Sequence, residues 1–154
     1  MKKKYNWPMV TVLTLIPLIG IFGTATYVYF NGVIWQEPII MFSGWWIAGM
    51  GITFGYHRLF AHRSFKAHPL VQFFAMLCGS AALQNTILKW SSDHRTHHNN
   101  LDTEEDPYSI TKGFFHAHIG WIIQDKPVEI KGVHDLEKNP IVMFQHKYYW
   151  AIGI

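Results

Sequence analysis

Two short stretches concentrate the side chains best suited to chemistry. HRLFAHRSF, residues 57–65, carries His57 and His62, and DHRTHHNN, residues 93–100, carries His94, His97 and His98. Neutral imidazole is a ligand for Zn, Cu, Fe and Ni. A structural zinc site would more often include cysteine, and neither cluster contains one. On a helix His94 and His98 are i and i+4, on one face about 6 Å apart at Cβ, which suits two ligands on one ion. His97 projects roughly 100° from His98, toward a second ion or the other side of the site. His57 and His62 are i and i+5, about 140° apart on an ideal α-helix, so two neighbouring ions are expected unless the helix ends between them. The remaining histidines are read more plainly. His68, His134 and His146 are expected at surfaces or helix caps, and His116 and His118 in packing or in support of the site.

The elements that must position these groups are apolar. Of the 154 residues 49% are hydrophobic, 16% aromatic and only 15% charged, against about 25% charged in an ordinary soluble domain. The net charge of +3 and the lack of a basic face interleaved with aromatics argue against nucleic acid. The one cysteine, Cys78, excludes an internal disulfide and is expected to be a buried structural thiol. Of the ten acidic residues only Glu37 precedes Asp93. The uncharged runs 9–31 and 38–56, within expected spans of about residues 8–31 and 38–56, would reach about 34 and 28 Å as helices, matching a hydrocarbon core of about 30 Å. Both read as transmembrane helices. The first is too long for a signal-peptide apolar core and ends in the interface-seeking aromatics YVYF.

Lys2, Lys3 and Lys4 precede the first helix, Arg58, Arg63 and Lys66 follow the second, and the turn NGVIWQE has no Lys or Arg. The positive-inside rule then puts the N-terminus and both histidine clusters in the cytoplasm. A third uncharged run, residues 70–88, is long enough to cross on length alone. One crossing would separate the clusters, so if they share a metal centre this segment begins and ends on the cytoplasmic side. Gln72, Ser80, Gln84 and Asn85 suit packing against protein better than exposure to lipid. An ordinary span with unrelated histidine clusters is the alternative. From residue 89 to about 140 the chain is polar and loop-rich, apart from GFFHAHIGWII, a short helical patch expected at the membrane interface. Residues 147–154 read as the start of a third transmembrane helix.

With these motifs in place, the sequence resembles the membrane-bound fatty acyl desaturases of the Δ9, stearoyl-CoA desaturase-like, type. HRLFAHRSF is similar to that family's first histidine box, and QNTILKWSSDHRTHHNNLDTEEDPYS to its second with flanking residues. GFFHAHIGW and DLEKNPIVMFQHKYY resemble the segments that follow. The resemblance implies an all-α integral membrane protein, a transmembrane helical hairpin plus a cytoplasmic helical domain carrying a histidine-rich diiron site over about residues 57–146. Residues 1–154 would be the N-terminal part of a single desaturase domain. It implies two iron ions, His57, His94 and His98 serving one and His62 and His97 the other. It also implies an O2-dependent enzyme that introduces a cis double bond, at Δ9, into a saturated acyl chain, with electrons from a donor such as cytochrome b5 or ferredoxin and its reductase. Breaking an unactivated methylene C–H bond needs a strong oxidant shielded from water and a chain held in one register. Gln84 and Trp90 match positions shaping the acyl tunnel, Asn85 one near the acyl carbonyl, and Asn6 and Asp93 positions at the carrier end.

Two departures qualify the resemblance. The family's third histidine box and one further histidine are absent, so the fragment alone is expected to be inactive and to belong to a longer chain. Animal members carry an Arg just before the Asp of box two and an Arg-Lys pair after GW. Here those positions read Ser92 and QDK, leaving Lys126, which makes an acyl group on a lipid or another carrier an alternative to acyl-CoA. A bacterial inner membrane is the favoured location, or the endoplasmic reticulum membrane in a eukaryote. Rival readings are a histidine-box hydroxylase or alkane monooxygenase, and a truncated, non-catalytic metal-binding membrane protein.

Overall fold

A computed structural model describes residues 4–153. Lys2 and Lys3, used above for orientation, and Ile154 lie outside the described residues. Among the described residues the fold is helical, with no β-strand beyond one isolated bridge between Tyr5 and Gln124. The helices are α1 (Trp7–Asn31), α2 (Gln36–Met50), α3 (Pro69–Ser80), α4 (Ile87–Asn99), α5 (His134–Glu137) and α6 (Pro140–Gly153). A π-helical segment, Gly51–Ala61, continues α2 without a break.

Among the described residues α1 and the α2–π unit are the two helices long and apolar enough to cross a membrane, 25 and 26 residues respectively, the second running on to Ala61. The side chain of Asn6 caps α1 by accepting from the Met9 N–H at 3.1 Å, satisfying one of the free donors of a helix start. Pro17 sits inside α1, a position that membrane helices tolerate. No residue of α1 or α2 is buried. The turn between them is fastened by Glu37, which accepts from the Tyr27 hydroxyl at 2.6 Å and the Ile34 N–H at 3.2 Å.

The buried core begins where α2 becomes the π segment. Tyr56, Leu59 and Phe60 pack with Ala75 and Met76 of α3, Ile87 and Leu88 of α4, Val133, Leu136, and Val142 of α6. Glycine permits the closest approach. A Cβ on Gly51 would overlap the backbone of Cys78 and Gly79, and one on Gly79 would overlap the Tyr56 ring. Cys78 is half-buried and free, less enclosed than expected.

The third apolar run does not form one long helix. α3 has 12 residues, about 18 Å, too short to span a bilayer. It ends at Ser80, and the loop to α4 takes left-handed backbone at Leu83 (φ 54°) and Asn85 (φ 81°). That loop is clasped from two helices. The Tyr56 hydroxyl donates to the Asn85 carbonyl at 3.3 Å, and the Asn85 N–H donates to the Tyr149 hydroxyl at 2.8 Å. Gln145, fully buried on α6, donates to Tyr56 Oη at 2.8 Å and accepts from the Ile87 N–H at 3.0 Å. Polar residues of the run thus bond within the protein, Ser80 and the Asn85 backbone in this clasp and Gln72 with Ala67 and Asn139, as suits amides and hydroxyls that would be costly unpaired. The apolar stretch at the chain's end belongs to a helix that starts at Pro140, earlier than residue 147, and bends at Tyr148 (φ −112°, ψ 21°).

Candidate metal centre

His57 and His62 do not diverge as an α-helix would make them. The π segment closes its turns with i→i+5 bonds, and the His62 N–H donates to the His57 carbonyl at 2.9 Å. Five residues then make little more than one turn, so the two side chains return to the same side, their rings 4.5 Å apart. π-helical insertions recur at functional sites for this reason, since they re-aim side chains. The expectation of a 140° separation is corrected by that winding.

α4 brings the second cluster to the first. Thr86 caps it, accepting from the Lys89 N–H at 3.2 Å. His94 and His98, one turn apart, present their rings 4.6 Å from each other. The His57 ring is 4.6 Å from that of His94, and the His62 ring 4.8 Å from that of His98. Nε2 of His94 lies 2.9 Å from Nε2 of His62 and 3.1 Å from Nε2 of His98. One ligand atom from each of His57, His62, His94 and His98 falls within 4.8 Å of all the others. Four convergent imidazoles and no thiol or carboxylate suit a divalent transition metal, iron included.

The electrostatics favour the ligand form. Burial, with the neighbouring imidazoles His57, His98, His62 and His97, pushes the His94 pKa down to about 3. Burial also lowers His62, with His57, His98 and Arg95 adding to it. Both are therefore neutral at physiological pH, with a lone pair to offer.

His97 stands apart from the four. Its ring is 5.5 Å from that of His98, and its Nδ1 meets the carboxylate of Asp106 at 2.9 and 3.0 Å. Asp106 is fully buried. Burial opposes its charge, but hydrogen bonds from His97 and from the backbone N–H groups of Asp102 and Tyr108 hold its carboxyl below the usual range.

The two boxes are tied by Arg95, which lies between the ligands. Its guanidinium donates to the Ala61 carbonyl (2.9 Å), the Phe60 carbonyl (3.0 Å) and the Gly132 carbonyl (2.7 Å), and forms a bidentate pair with Asp135 (2.7 and 3.0 Å). The planar fork of arginine suits that task, and lysine's point charge would not. Arg95, Asp106 and Tyr108 were missed in the sequence. The available signals were an Arg flanked by box-two histidines and an Asp-Pro directly downstream.

The other expected site residues fall into two groups. Trp90 stacks on His94 at 4.8 Å, and its indole N–H donates to Gln84 Oε1 at 3.3 Å. Asn85, in the clasped loop, accepts the Thr86 N–H on its side chain. Trp90 therefore adjoins the histidine cluster and Gln84 is tethered to it, while the contacts of Asn85 are with Tyr56, Tyr149 and Thr86. Asp93 is half-buried and paired with Lys89 one turn earlier. Burial raises its pKa, opposed by Lys89 and Lys126. Asn6 belongs to the N-terminal arm, where its N–H donates to the Ile123 carbonyl at 2.9 Å. The lone histidines have local partners. His68 accepts the Leu70 N–H, His134 pairs with Glu137 and His146 meets Thr86. His118 bonds the Phe114 carbonyl, and His116 meets the Pro107 carbonyl and Gln124.

No protein-family model matches the chain. Among curated proteins it is 38% identical over 154 residues to the acyl-CoA Delta-9 desaturase of Acheta domesticus, covering 96% of this chain and 42% of that protein. It is 40% identical over 153 residues to the probable acyl-CoA desaturase of Schizosaccharomyces pombe, covering 96% of this chain and 31% of that one. Against the stearoyl-CoA desaturase of Homo sapiens identity is 32% over 154 residues, with 96% and 42% covered. The chain thus spans less than half the length of these relatives.

Proposed function

We propose, for a chain that belongs to the Δ9-desaturase-like family, that it supplies part of the iron-holding core of an O2-dependent fatty acyl desaturase seated in a membrane. The observation that carries this reading is the convergence of His57, His62, His94 and His98 from two separate boxes within 4.8 Å. These four would hold iron, and His97 a second ion beside it. Bound there, iron supplies the O2-dependent oxidation that removes two hydrogens from an acyl chain and leaves a cis double bond, at Δ9.

The chain's own residues do the rest. Trp90, stacked on His94 and tethered to Gln84, forms an apolar wall next to the cluster, suited to excluding water and holding an acyl chain in register. Asn85 sits in a loop held by tyrosines from two helices, so it presents its amide from a fixed backbone. Asp93 and Lys126 stand at the carrier end. The substrate is a saturated acyl chain on CoA, or on a lipid or other carrier, given Lys126 where the family's animal members carry an Arg-Lys pair. Electrons come from a small redox protein such as cytochrome b5 or ferredoxin with its reductase. The helical hairpin spans the bilayer with the histidines on the cytoplasmic face.

The test is fatty-acid profiling of cells expressing the chain, alone and extended along its reading frame, beside a His94→Ala variant. New cis-monounsaturated chains that require His94 support the proposal. Hydroxylated chains would move the assignment to oxygen insertion. No new product from the extended chain would remove the enzymatic reading.

A further inference from the structure

Box two faces in two directions, and the second has its own supporting structure. His94 and His98 turn Nε2 toward the four-histidine cluster, whereas His97 lies with its ring 6.4 Å from that of His94. Its Nδ1 is met by both oxygens of Asp106. An ionised carboxylate only accepts hydrogen bonds, so the proton of a neutral His97 sits on Nδ1 and the lone pair on Nε2. Asp106 is itself immobile. It is fully buried, and its oxygens accept the Asp102 N–H and the Tyr108 N–H, both at 3.1 Å. Tyr108 completes the frame, its ring 4.4 Å from that of His97 and its hydroxyl 3.3 Å from Nδ1 of His94.

The two backbone N–H groups alone would be satisfied by an asparagine in an ordinary turn. A buried carboxylate aligned with an imidazole is the arrangement that fixes the tautomer and raises the basicity of a metal-bound histidine. We propose that Asp106, braced by Tyr108, is a positioning residue that holds His97 with Nε2 free, as a ligand for a metal ion outside the four-histidine cluster. The inference rests on the metal-centre reading above.

Two measurements test it. Side-chain 15N–1H spectra of the metal-free, 15N-histidine-labelled chain in detergent micelles report each imidazole's tautomer. His97 is expected as the Nδ1–H form, shifting toward the Nε2–H form of a free imidazole in Asp106→Asn and restored in Asp106→Glu. Iron affinity of the chain extended along its reading frame, measured by competition with a chelator, should fall about 10–100-fold for one of two ions in Asp106→Asn. It should be largely kept in Asp106→Glu and Tyr108→Phe, with helicity by circular dichroism unchanged in all three. His97 found as Nε2–H in the parent, or iron affinity unaffected by Asp106→Asn, would reduce Asp106 to a loop anchor and overturn the inference alone. An extended parent that takes up no iron would overturn the metal-centre reading and this inference together.

Discussion

α1 and α3 are similarly apolar and differently used. α1 buries none of its 25 residues, whereas the 12-residue α3 buries Ala75, Met76, Gly79 and Ser80. The difference lies in what the small and polar residues meet. Gly20 and Gly23 on α1 have nothing within 4 Å of a notional side chain, while Gly79 on α3 lets Tyr56 and the backbone of Gly51 come into contact. Apolar content alone therefore does not decide whether a helix faces lipid or protein. Glycine at the crossing and polar residues at the ends do. The comparison also separates two halves, one that leaves its apolar helices exposed and one whose packing sets the geometry of the histidines.

The largest effect should come from the clamp of the packed half. Arg95→Leu leaves Asp135 without its bidentate partner and frees the carbonyls of Phe60 and Ala61 beside His62. Five hydrogen bonds are lost together, each worth about 0.5–1.5 kcal/mol net, for a combined cost of roughly 3–5 kcal/mol, measurable by chemical denaturation of the chain in detergent. A cost below about 1 kcal/mol would show that the boxes are held together by something else. Next, Ile87→Ala, at a fully buried position, should cost about 2–5 kcal/mol. Ile19→Ala, 68% exposed on α1, should stay within about 0.5 kcal/mol. Equal costs would abolish the distinction between the two halves.

One substitution should even change sign between them. Gly51→Ala forces a Cβ into the backbone of α3 and should destabilise by about 1–3 kcal/mol. Gly20→Ala enters open space in a helix interior and should stabilise by roughly 0.5–1 kcal/mol. The pH dependence tests the same cluster. His94 and His62 have folded pKa values below the free-histidine value of 6.5, so between pH 6.5 and 5 the unfolded chain binds more protons than the folded one. Stability of the metal-free chain should be level above pH 7 and fall as pH drops from 6.5 to 5, above the carboxylate range. A flat profile in thermal unfolding over that window would contradict the neutral form of the cluster.

Much of this was legible in the sequence because it depends on composition and short spacing. The uncharged runs placed α1 and α2, and the i, i+4 relation of His94 and His98 placed them on one face. What was not legible depends on backbone winding and on contacts distant in sequence. The relation of His57 to His62 was misjudged because α-helical geometry was assumed, and only a π-helical turn returns both to one side. Asp106 looked like one more charge in the turn TEEDP, since nothing local reveals that it is buried against His97. Arg95 reads as a surface charge until Phe60, Ala61 and Asp135 are brought to it.

The central claim is that histidines from two boxes gather into one metal site. Iron per chain should be measured in the purified chain extended along its reading frame, as parent, as His94→Ala and as His118→Ala, whose side chain bonds the Phe114 carbonyl outside the cluster. The account predicts iron in the parent and in His118→Ala, and its loss in His94→Ala. Equal iron in the two variants would contradict it.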